Sequence, residues 1–295
     1  MTTLEAPGTR PAPRRLPAWV GVIPFFLFAI AFLFLPIAFL VIGSFQTIQG
    51  EFTLQNYASL TDNSYIQTAY VNSIQISAIT AILGGLFGFL LAYAVILGGL
   101  PGFLRDALMT FSGVASNFAG VPLALAFVFT LGNVGLVTMW LEDIFGFQLQ
   151  ESGFTIYSIA GLAIVYMYFQ FPLMVLIIAP AIDGLRRDWR EAAENMGASG
   201  FQYWRYVALP ILMPSILGTT ILLFGNAFGA QATAFQLTGG TIPIAPVVIG
   251  AQIRGDVLRD PNLGYAMAMG MVAIMGVSIT IYTVLQRRSE RWLRS

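Results

Sequence analysis

Six long stretches of this chain carry no Asp, Glu, Lys or Arg: residues 16–50, 63–104, 107–141, 152–182, 206–253 and 261–286. A helix crossing the ~30 Å hydrocarbon core of a bilayer needs roughly 20 apolar residues, and each window holds one. Of the 295 residues only 9% are charged while 57% are hydrophobic; a soluble domain carries about a quarter charged residues to keep its surface in water. Continuous apolar runs, without the alternation of barrel strands, fit helices that satisfy their own backbone hydrogen bonds in lipid. The sequence therefore predicts an all-α integral membrane protein with six transmembrane helices, at about 18–43, 70–98, 107–131, 155–182, 207–229 and 263–286. Its first apolar run exceeds the ~7–15-residue core of a cleavable signal and reads as a retained anchor. The Pro- and Arg-rich residues 1–17 read as a disordered cytoplasmic tail, ahead of a six-helix domain over 18–290.

Orientation follows from arginine, because basic residues stay on the cytoplasmic side. With both termini cytoplasmic, Arg10, Arg14, Arg15, Arg105, Arg186, Arg187, Arg190, Arg205, Arg287, Arg288, Arg291 and Arg294 lie inside and only Arg254 and Arg259 outside, 12 against 2. Half of the 14 acids fall outside: Glu51, Asp62, Glu142, Asp143, Glu151, Asp256 and Asp260. Residues 231–250 are uncharged as well, but a seventh span there would carry the C-terminal arginines outside. Gly239, Gly240, Pro243 and Pro246 also interrupt the stretch, and such residues break helices. It reads as an irregular external segment, either an ordinary loop or a partly re-entrant one facing a cavity.

Three absences narrow the chemistry. The chain has no Cys and no His, and its 14 basic residues are all Arg. Thiol nucleophiles, thiolate metal sites and histidine-based proton shuttles are excluded. The missing Lys excludes a Walker A loop, so any ATP, with its Mg, must be bound by separate subunits. No cofactor or metal site is expected in this chain, and no nucleic-acid surface. Serine–histidine catalysis is ruled out, and no Asp lies inside a span to form an aspartyl pair, so the chain is not expected to be an enzyme.

The longest cytoplasmic loop, 183–206, lies between the fourth and fifth spans. Asp188 with Glu191, and Ser199 with Gln202, form two capping-box patterns, and Gly197 stands where the first helix should end in a left-handed turn. Helix, glycine break, helix is the expected result, with Trp189, Met196, Phe201, Tyr203, Trp204 and Tyr206 offering surface suited to a protein partner or a lipid interface.

Glu191-Ala192-Ala193, three residues, Gly197, nine residues, Val207, one residue, then Leu209-Pro210 resembles the EAA motif of type I ABC importer permeases, EAA-x3-G-x9-I-x-LP. Val207 replaces the usual Ile and keeps a β-branched apolar group; every other position matches. The resemblance implies the type I importer permease fold over roughly 18–290, in a prokaryotic inner membrane. It implies that Glu191, Ala192, Ala193 and Gly197 form a coupling helix seated on an ATPase subunit, with Val207, Leu209 and Pro210 opening the fifth span. It implies as partners two ATP-binding-cassette subunits, a second permease or a second copy of this chain, and an extracytoplasmic substrate-binding protein.

Polar uncharged residues within the spans are candidates either for the substrate pathway or for interhelical hydrogen bonds: Asn72, Asn117 and Asn226, with Gln231 just beyond, and also Gln75 and Gln170. The alternative reading is a stand-alone secondary transporter or channel. Proton-coupled carriers place ionisable groups within the membrane, and these spans hold none except at their ends. For the solute, the stretch Gly229 to Gly240, followed by Ile249, Gln252 and Leu263-Gly264, is similar to permeases for polyamines, ferric iron, thiamine and phosphonates. The acidic outer side would suit a cation, so a polyamine is the first expectation; exclusion of Arg from translocated loops leaves them acidic in any case.

Overall fold

The computed structural model describes residues 22–149, 151–254 and 260–294; the expected tail at 1–17, the start of the first span and Arg259 lie outside them. Twelve helices follow one another among the described residues. They are α1 (Ile23–Ser44), α2 (Gln55–Asp62), α3 (Ser64–Leu97), α4 (Gly102–Asn117), α5 (Gly120–Leu131), α6 (Leu136–Phe145), α7 (Ile159–Asp183), α8 (Arg187–Asn195), α9 (Gly200–Phe228), α10 (Gln231–Thr238), α11 (Ala245–Arg254) and α12 (Pro261–Arg294). Six stretches are long and apolar enough to cross a membrane: α1, α3, Gly120–Phe145, α7, α9 and Pro261–Arg287.

At the centre α3 packs along α7, with α9 against both. Glycine sets these distances. A Cβ on Gly84 would fall 2.7 Å from the Cβ of Gln170, and one on Gly88 would fall 2.5 Å from that of Met174. In lipid no hydrophobic force drives helices together, so close backbone approach through small residues supplies the contact. Around the crossing, Ala81, Ala92, Met174, Ile178, Leu212 and Leu223 form one buried cluster. A second, around Leu123, Leu162, Tyr166, Phe169 and Leu237, ties α10 to α5 and α7. By contrast α1 touches the rest mainly through α12, where Gly43 lies under the Tyr265 ring. Phe25, Phe28, Phe32 and Phe39 stand exposed along it, the composition expected of a helix facing acyl chains.

Two helices carry a π-turn for the same reason. Ile30–Phe34 in α1 precedes Leu35-Pro36, and Trp204–Ala208 in α9 precedes Leu209-Pro210. Proline has no N–H to give the carbonyl four residues back. The leucine before it donates five back instead, Leu35 to the Ile30 carbonyl and Leu209 to that of Trp204, and the helix widens. The fifth span therefore does not begin at Leu209-Pro210 as expected. It is continuous from Gly200, with Pro210 inside it.

The expected third span, 107–131, is not one helix either. It divides into α4 and α5 at Phe118-Ala119, where Ala119 is extended and Gly120 takes φ +73°. The Asn117 amide turns back to the Gly113 carbonyl at 2.9 Å, and the freed N–H of Gly120 donates to Thr233 Oγ1 at 2.9 Å. A residue 113 positions away thus satisfies the broken helix end. Residues 231–250 form neither a span nor an exposed loop. Gly239 and Gly240, at φ +60° and +80°, join α10 to α11, and Thr233, Ala234, Leu237, Ala245, Val247 and Val248 are buried.

Candidate coupling loop and translocation cleft

The loop after α7 is built around glycine and a cap. Gly197 takes φ +80°, a left-handed conformation that costs an L-residue about 1–2 kcal/mol. It ends α8 and lets Ala198 donate to the Ala193 carbonyl at 3.0 Å. Ser199 then caps α9 with a full box: its hydroxyl accepts from Gln202 N–H at 3.3 Å, and its own N–H donates to Gln202 Oε1 at 2.7 Å. The other expected box is absent. Asp188 lies inside the first turn of α8, whose N-cap is Arg186, and its carboxylate accepts from the Arg186 guanidinium at 2.6 Å. An acid in the first turn still complements the helix dipole. Arg190 pairs with Glu194 one turn on at 2.9 Å, and that hydrogen bond raises its pKa further.

The two alanines of the EAA triplet differ in burial. Ala193 is buried against Tyr203 and Ala208, fixing α8 to the base of α9, while Glu191 and Ala192 are exposed. Met196, Phe201 and Tyr206 stand beside them, 82%, 72% and 69% exposed. Val207 packs into the same cluster as Ala193. Leu209 and Pro210 are half-buried above it, and Trp204 wedges edge-on against Tyr93 of α3, ring centroids 4.9 Å apart. The loop thus presents a small polar and apolar surface on a rigid base.

At the breaks between α4 and α5 and between α9 and α10 lie two adjoining clefts. One, of about 380 Å³, is lined by Ser116, Ala119, Phe169, Asn226, Ala230 and Thr233 among others. Its neighbour, of about 570 Å³, lies between Val121, Phe235, Val247, Ala251 and Arg254, and both share Gln231 and Ala232. Of the expected pathway residues, Asn226 and Gln231 line these clefts. Asn117 stands exposed beside the first, next to Ser116. Asn72 does not join them: its amide donates to the Pro243 carbonyl at 3.0 Å, holding the α10–α11 connection on α3. Gln170 is fully buried and donates to the Leu223 carbonyl at 3.1 Å, a link between α7 and α9. Gln75 is exposed on α3.

Ser116, Thr233 and Arg254 were not singled out from sequence. Gly250 explains how Arg254 comes into play: a Cβ there would collide with the Gln231 amide and lie 3.3 Å from Arg254 Nη2. Glycine leaves room for both side chains over the α11 backbone. Gly250→Ala is expected to displace the Gln231 amide and lower uptake by about tenfold or more, with expression and thermal stability close to wild type. Initial uptake rates beside a detergent melting curve check this.

A family model described as the binding-protein-dependent transport system inner membrane component matches residues 84–295. The chain belongs to that family. Relatives of the permease span most of its length. A probable sulfate transport system permease protein of Nephroselmis olivacea is 27% identical over 273 residues, covering 90% of this chain and 88% of that one. The spermidine/putrescine transport system permease protein PotB of Haemophilus influenzae is 26% identical, covering 87% and 90%. The trehalose transport system permease protein SugB of Mycobacterium tuberculosis is 24% identical, covering 85% and 83%. Among solved structures, a bacterial ABC transporter importing the acidic polysaccharide alginate aligns with TM-score 0.72 at 16% identity, over 92% of the permease and 94% of that chain. The fold is therefore that of an ABC importer permease, and the family is that of the membrane permease component of such importers.

Proposed function

We propose that the permease sits in a prokaryotic inner membrane with both termini cytoplasmic, pairs with a second permease or a second copy of itself, and is driven by two ATP-binding-cassette subunits. Those subunits bind ATP and Mg; this chain contributes Glu191, Ala192 and the exposed Met196 and Phe201 as the surface they grip. The observation that carries this reading is the loop itself: the EAA spacing falls on a helix whose Ala193 face is buried and whose Glu191–Ala192 face is free. Motion of that face passes through Ala193, Tyr203 and Trp204 into α9 and α3, since these residues form one packed cluster. An extracytoplasmic binding protein delivers the solute. The relatives' names cover sulfate, polyamine and sugar. The acids that favour a polyamine, Glu51, Asp62, Glu142, Asp143, Glu151 and Asp260, line neither cleft.

The absence of cysteine from the chain makes the test clean. Ala192→Cys, the chain's sole thiol, is expected to cross-link to an ATPase subunit bearing a cysteine in its facing groove, and ATP is expected to change the yield. Ile48→Cys, on the exposed turn after α1, is expected to give no product. A complex that co-purifies intact yet shows no cross-link at 192 would overturn the docking assignment.

A further inference from the structure

We infer that the cleft shared by α5, α10 and α11 is a way-station for a small anion of the sulfate or phosphate class, with Arg254 and Gln231 as its recognising donors. This deepens the importer reading and rests on it. The Gln231 amide nitrogen occupies the place a Gly250 side chain would take, and Arg254 Nη2 lies 3.3 Å from that same place, so the two donors converge over Gly250 beside the cleft they both line. Guanidinium N–H groups form a planar fork that matches tetrahedral oxyanions, and the carboxamide adds a neutral donor. Arg254 is exposed to the cleft, and no carboxylate lines either cleft among the described residues. The first turns of α5 and α10 reach this cleft through Val121 and Ala232, and the adjoining one through Gly120, Ala232 and Thr233. The Gly120 N–H is held by Thr233 Oγ1, the Gln231 N–H by the Gly229 carbonyl, and Pro122 has none, so what these two turns add is the sign of their dipoles. A polyamine entering here would meet the charge of Arg254; a neutral sugar would gain nothing from it.

The experiment reads the field without knowing the solute. Ala251→Cys, one helical turn from Arg254, is placed in the full importer assembled with its ATPases. Modification rates are compared for an anionic and a cationic methanethiosulfonate of similar size, at low salt. The anionic reagent is expected to react faster by about threefold or more, relative to the ratio at an exposed control cysteine. Arg254→Gln should abolish that preference and Arg254→Lys should keep it. In the same preparations, sulfate or phosphate uptake should fall about tenfold with Arg254→Gln and only partly with Arg254→Lys. Equal rates for the two reagents, or faster cationic modification, in a complex that still hydrolyses ATP would overturn the anion assignment alone. Failure of the wild-type chain to assemble with the ATPases would instead remove the importer reading beneath it.

Discussion

Gly197→Asp is expected to leave the permease inserted and folded but to reduce binding-protein-stimulated ATP hydrolysis and uptake to background, at least about a hundredfold below wild type. Two effects combine. Gly197 sits at φ +80°, where Asp costs about 1–2 kcal/mol, enough to shift the turn that orients α8 without unfolding six spans. The new carboxylate also adds an acid, after Glu191 and Glu194, to the loop proposed to dock the ATPase. Glu191→Lys, which reverses one exposed charge without backbone strain, is expected to act on coupling alone. ATPase rate with and without binding protein, with membrane-inserted protein quantified in parallel, is the check. Full activity in both variants would remove the coupling role from this loop.

Gly88→Leu is expected to have the largest effect on the fold. A Cβ there would fall 2.5 Å from the Met174 Cβ and 2.9 Å from the Phe171 carbonyl oxygen, so α3 and α7 must part before the rest of the side chain is placed. Overpacking of this kind costs about 1–3 kcal/mol where a core can adjust; here a backbone carbonyl is among the obstacles, and a loss of about 3 kcal/mol or more is expected. Gly276→Ala on α12 is the control, since a Cβ there meets nothing within 4 Å. Thermal aggregation in detergent should separate the two by many degrees.

These two sites differ in how far the sequence exposes them. Gly197 and the Ser199–Gln202 cap are local devices, set by residues within four positions of one another, and the spacing alone locates them. The six apolar windows are local in the same sense. The break at Phe118-Ala119 is not, because hydropathy averages across it and its stability depends on Thr233 donating and accepting from another segment. The π-turns stay hidden for a different reason: Leu209-Pro210 reads equally well as a helix start, and only continuity with the capped helix at Ser199 places the proline inside. Ala193 looks identical to Ala192 in sequence; which face of α8 is covered depends on Tyr203 and Ala208 folding back on it. The cleft was half legible. Asn226 and Gln231 stood out as polar residues in apolar surroundings, whereas Arg254 read as an ordinary external charge until Gly250 placed it against Gln231.

Reconstitution into proteoliposomes decides whether this chain is driven from outside itself. Vesicles containing the permease with its ATPase partners, ATP inside the compartment that faces the coupling loop, and binding protein outside should accumulate solute. Vesicles with the permease alone should accumulate none under a proton or sodium gradient. Gradient-driven uptake by the chain alone, at a rate comparable with the complete complex, would contradict the coupling mechanism and return the chain to the stand-alone transporters.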